Sequence, residues 1–196
     1  MALRMGPCCL LAVAFLSGCG KEERSEAIQL TRILTEKQSD FESANTLEKD
    51  LVSSARAWCG GITANGAGRG VELDQNARVA TELAKSAVAI STQLSRVRQA
   101  VDGAALKEEH PQSVRNDLIT QLTKRQRLLQ NVRAFLEQSA PQFLEYRQSR
   151  AYAGDTYPDG IGKLDALLKA YKPPDDIIGA ALAGLKVKYK ITPNEL

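Results

Sequence analysis

The chain is predicted to be all-α, a helical bundle built on a long antiparallel helical hairpin. Apolar residues recur at three-and-four spacing over long stretches, one stretch carries a seven-residue seam, and short turn-rich links separate them. The first stripe is Leu30, Ile33, Leu34, Phe41, Ala44, Leu47, Leu51, Ala55 and Trp58, which forms one face of a long helix. Trp58-Cys59 is expected to end it. The following segment 60–70 contains five glycines, each costing about 1 kcal/mol in a helix, and reads as a loop.

A second helix is predicted from about Glu72 to Val101. Leu73, Ala80, Ala87, Leu94 and Val101 lie seven apart, with Asn76, Leu83, Ile90 and Val97 as the companion series. The alanines allow a neighbouring helix to approach closely. Asp102-Gly103 is a stop signal, and residues 103–110 form a polar link. Pro111 can start a third long helix, because the first turn needs no N–H from it. Its stripe is Leu118, Leu122, Leu129, Val132, Leu136 and Phe143, with Pro141 either kinking it or opening a new helix capped by Ser139. Tyr152 to Gly160 is a turn-rich break.

Two short C-terminal helices follow. One carries Ile161, Leu164, Leu167, Leu168 and Tyr171 and ends at Pro173-Pro174. The other runs from Asp175 to about Tyr189, with Asp175 and Asp176 at its positive end. Residues 185–191 alternate as a strand would, but no second strand signal exists to pair with them, which favours a helix end and tail. The domain division is 1–18, 19–23 as a tether and 24–196 as one helical domain, comprising the hairpin 24–102 and C-terminal helices within 111–190.

The N-terminus carries a different signal. Arg4 precedes an apolar run of 11 residues from Gly6 to Leu16, well short of the ~20 needed to cross a bilayer. A short apolar run behind a basic start reads as a secretory signal. It ends in Leu16-Ser17-Gly18-Cys19, which resembles the lipobox of bacterial lipoproteins. That resemblance implies cleavage before Cys19, a diacylglyceryl group on its thiol and acylation of the new N-terminus. Two or more chains anchor a protein stably. Gly20 stands where an Asp would retain such a protein in the inner membrane of enterobacteria, so the resemblance points to the outer membrane. Cys8 and Cys9 leave with the signal. Cys59 then remains as the single free thiol, expected to be buried as a small hydrophobe rather than paired with another chain.

Signals for catalysis are sparse. His110 is the single histidine, followed by Pro111 in a polar link, and reads as a solvated loop residue. One histidine and one free thiol do not make a zinc site of the usual kind. The pairs Glu22-Glu23, Glu108-Glu109 and Asp175-Asp176 read as tether, link and helix cap, since adjacent residues point apart on a helix. The stretch Gly66-Ala67-Gly68-Arg69-Gly70 precedes a helix but lacks the strand and spacing of a phosphate loop, although Arg69 could meet an anion or a partner.

The formal net charge of +3 is too small to imply nucleic-acid binding. Residues 20–110 hold 12 basic and 14 acidic side chains, whereas residues 111–196 hold 13 and 9. Lys124, Arg125, Arg127 and Arg133 form the densest basic stretch and are candidate interaction residues, with a solvated helix face as the plainer reading. The expectation is a lipid-anchored envelope protein with no cofactor and no enzymatic activity. Its bundle would meet an envelope protein partner as an interaction or scaffold module. The alternative is a module binding a lipid, peptide or cell-wall fragment between its helices, which the alanine-rich seam disfavours.

Overall fold

The computed structural model describes residues 8–68, 71–148, 159–171 and 176–196. They form α1 (Cys8–Asn65), α2 (Val71–Asp102), α3 (Glu109–Gln148), α4 (Asp159–Ala170) and α5 (Ile177–Tyr189), followed by a 3₁₀ turn at Pro193–Glu195. Among the described residues there is no strand. The bundle is therefore all-α, as the periodicity predicts. Of the predicted break Tyr152–Gly160, residues 152–158 lie outside the described residues, as do Pro173-Pro174 and Arg69, whereas Asp159 and Gly160 are already the start of α4.

α1 and α2 form the hairpin, but α2 packs more extensively against α3 than against α1. α4 and α5 each bridge α1 and α3. α1 departs from expectation at both ends. The predicted tether 19–23 is helical, and the helix continues past Trp58-Cys59 through Gly60 and Gly61 to Asn65. Burial of Cys59 and Ile62 outweighs the glycine cost, so the connection begins only at Gly66. There the chain turns at Gly66 and Gly68, both at φ 78°. A Cβ on Gly68 would lie 2.7 Å from the Glu72 Cβ, so this position excludes a side chain. The Gly66 N–H closes α1 by donating to the Ile62 carbonyl at 2.8 Å.

Asn76 secures the same corner. Its side chain accepts from Trp58 Nε1 at 3.0 Å and donates to the Ala67 carbonyl at 3.0 Å. The Trp58 ring meets Phe143 edge-on, with centroids 5.9 Å apart. All five residues of the seven-residue seam on α2 are buried, together with Ile90 and Val97. Ala77 and Ala84 join them, which explains why α3 can lie so close. Leu47 departs from the α1 stripe and is 42% exposed.

α3 passes through Pro141 without ending. Pro141 lies on the exposed side of α3, where water can meet the carbonyl that loses its helical partner. Ser139 is not a cap. It is buried, and its hydroxyl donates to the Phe135 carbonyl at 2.7 Å. Asp176 is a true N-cap, accepting the Gly179 N–H at 2.8 Å. Residues 185–189 are the end of α5, closed by Lys190 at φ 52°. The alternation therefore marks a helix terminus, with Ile191 turned back into the core.

Leu94 is fully buried on the α2 seam. Leu94→Asp is expected to destabilise the bundle by several kcal/mol, because the new charge has no partner there. Thermal melting followed by helical circular dichroism measures this.

Candidate functional site

The most concentrated polar chemistry lies inside the bundle. Glu48 of α1 has no exposed surface, and Arg125 of α3 is 6% exposed. Arg125 Nε donates to Glu48 Oε2 at 2.9 Å, and its Nη2 reaches the same oxygen. The Tyr171 hydroxyl, just beyond α4, donates to Glu48 Oε1. The Arg125 guanidinium also sits 4.9 Å over the Phe41 ring. Arg56, two turns along α1, donates to the Leu168 carbonyl at 2.8 Å and the Tyr171 carbonyl at 2.7 Å. Arg56 thereby caps the end of α4, sharing the Leu168 carbonyl with the Tyr171 N–H, which lies 3.2 Å from it. Burial, and then the bond to Glu48, push the Tyr171 phenol well above its ordinary range, which keeps it a donor. Both oxygens of Glu48 are engaged, so the cluster holds three elements together and leaves no carboxylate lone pair facing solvent.

Arg125 therefore does not belong to an exposed basic patch. It completes the α3 stripe between Leu122 and Leu129, where only a paired charge is tolerated. Lys124 and Arg127 are exposed, and Arg133 is exposed with an ion pair to Glu137 at 2.8 Å. Cys59 is free and buried, as expected. Burial, and then the charge of Asp165, push its thiol up to about 12, against a smaller lowering by Lys169. The reactive thiolate is thus disfavoured at neutral pH. Cys19 falls within α1, and its side chain lies outside the described residues.

A second polar group fastens the chain's C-terminal residues to the start of the bundle. Glu26 accepts the backbone N–H groups of Lys107 and Glu108, at 2.8 Å in its closest contacts. Arg24 reaches Glu195 at 2.6 Å, and Arg32 donates to the Glu195 carbonyl at 2.7 Å. His110 is not a free loop residue. It stands in the first turn of α3, with Nδ1 3.0 Å from the Tyr189 hydroxyl. That hydroxyl donates to Glu23 at 2.6 Å, which leaves His110 Nδ1–H as the donor to the tyrosine oxygen.

On the surface, an open cleft of about 570 Å³ lies between α2 and the last third of α3. Ala77, Ala140, Pro141 and Leu144 line it, with Arg78 and the Asp74–Arg147 ion pair at its rim. A groove of about 230 Å³ between α1 and α2 is lined by Leu47, Leu51, Leu83 and Ile90. Among the described residues no group of three His, Cys, Asp or Glu could hold a metal ion, and no helix is long and apolar enough to cross a membrane. No protein-family model, curated protein or solved structure matches the chain.

Removing one partner of the buried pair strands the other. Arg125→Leu is expected to cost about 3–5 kcal/mol in urea unfolding, and adding Glu48→Leu should restore most of that loss. Glu195 provides a pH signature. The Thr192 backbone N–H and the Arg24 guanidinium hold its carboxyl down at about 2, below the ordinary 4.5. A lowered folded-state value stabilises the protein above pH 4.5, and this contribution is lost as pH falls toward 2. Thermal melts across that window should show a shallower acid decline for Glu195→Gln, with lower stability at neutral pH.

Proposed function

We propose that the protein is a lipid-anchored protein of the bacterial envelope, held by acyl chains on Cys19, whose bundle acts as a non-catalytic interaction or scaffold module. The observation that carries this reading is the Leu16-Ser17-Gly18-Cys19 motif behind a short basic and apolar leader. The helix that follows supports it. Helical backbone runs from Cys19 through Lys21 and on to Asn65, so the anchor leads directly into the bundle. Both oxygens of the buried Glu48 are taken by Arg125 and Tyr171, which gives that carboxylate a structural role. Its open features include the cleft beside Leu144 and the groove beside Leu47, together with the exposed Lys124 and Arg127. Such surfaces suit a partner protein of the envelope, and the absence of Asp after Cys19 fits an outer-membrane site facing the periplasm.

Expression in a bacterial host with an alkyne analogue of palmitate tests the anchor. The chain should incorporate the label and sediment with membranes. Cys19→Ala should abolish both, and membrane retention of that variant with no loss of label would refute the proposal.

A further inference from the structure

The apolar interior divides into two clusters. One lies toward the chain termini and includes Leu30, Phe41, Leu94, Leu118 and Leu182. The other lies toward the α1–α2 connection and includes Cys59, Ala80, Leu136, Phe143 and Leu164. All three long helices change cluster at one level: between Leu51 and Val52, between Ala84 and Ala87, and between Leu129 and Val132. Only Leu83 packs against both among the described residues. The Glu48–Arg125–Tyr171 cluster sits beside this boundary. Phe41, under Arg125, belongs to the first cluster, and Tyr171 packs on the second.

The two halves are unequal in ways set by the sequence. Toward the termini α2 contributes one alanine, Ala87, and then Ile90, Leu94, Val97 and Val101. Toward the connection it contributes Leu73 and then Ala77, Ala80 and Ala84. Each alanine removes much less apolar surface from water than a branched residue does. Gly60 and Gly61 weaken α1 in the same half by about 1 kcal/mol each, and Pro141 removes a helical hydrogen bond from α3 there. α4 covers its core, and Arg56, Glu48 and Tyr171 fasten the end of α4.

We propose that the bundle consists of two cooperative units, that the half at the α1–α2 connection opens while the half at the termini stays folded, and that Glu48 is the joint between them. Cys59 is the natural reporter, because it lies within the connection half, close enough to feel the charges of Asp165 and Lys169 on α4. Opening of that half alone exposes it.

The experiment uses the full chain carrying Cys8→Ser, Cys9→Ser and Cys19→Ser, so that Cys59 is its one thiol. Its labelling by excess dithiobisnitrobenzoate is timed under native conditions. Val132→Ala and Val97→Ala are a matched pair, one buried valine from each half. Val132→Ala should speed labelling about tenfold or more. Val97→Ala should leave the rate unchanged while lowering the urea midpoint. Tyr171→Phe, which loses a bond to a charged group, should speed labelling about ten- to a hundredfold. Equal acceleration by both valine variants overturns the proposal, because a single unit exposes Cys59 only by unfolding entirely. An unaltered rate in Tyr171→Phe overturns the role of Glu48 as the joint.

Discussion

Three elements of this bundle meet at one carboxylate. Glu48 is a charge with no exposed surface, and such a group persists in a folded chain only when fully engaged. Arg125 takes one oxygen and Tyr171 the other, which fixes α1 against α3 and the end of α4 against both. Apolar packing alone would let α1 slide or rotate along α3, since leucines tolerate many registers. A buried ion pair with a tyrosine does not, because every wrong register strands a charge. The direct contact between α1 and α3 is slight compared with that of α2 and α3. The polar cluster therefore sets their relative position, and α4 and α5 fill the space on either side of it.

Much of the fold is legible in the sequence because it rests on helical periodicity. The seam of α2 is buried as its seven-residue repeat requires, and the stripes of α1 and α3 face the core, apart from Leu47. The cluster at Glu48 is harder to see, yet its signal is present. Phe41, Ala44, Leu51 and Ala55 leave a gap that Glu48 fills, and Leu118, Leu122, Leu129 and Val132 leave one that Arg125 fills. A charge standing on the apolar stripe of each of two helices marks a pair. Composition alone hides it, because Arg125 sits among Lys124 and Arg127 and reads as part of a basic patch. Periodicity puts Tyr171 on the stripe of the α4 segment but cannot pair it with Glu48, 123 residues away.

The remaining differences have local causes. Propensity places the end of α1 before Gly60, but the buried faces of Cys59 and Ile62 carry the helix two turns further. Pro141 reads as a kink or as the start of a new helix, and α3 instead passes through it on its exposed side. His110 reads as solvated because its partner, Tyr189, is 79 residues away. At Gly60 and Gly61 burial outweighs a helix cost of about 1 kcal/mol each, and at His110 a remote partner decides; nothing in the neighbouring sequence announces either. The polar fastening of Glu195 and Tyr189 onto Glu23, Arg24 and Arg32 of α1 is of the same kind.

The uninterrupted backbone of α1 also has a consequence of scale. At 1.5 Å per residue, the helix from Gly20 to Asn65 spans about 68 Å. If Cys19 carries the proposed acyl chains, unbroken helical backbone would lead from the anchor into the bundle, and the glycine corner at Gly66 and Gly68 would stand at the far end of that rigid helix.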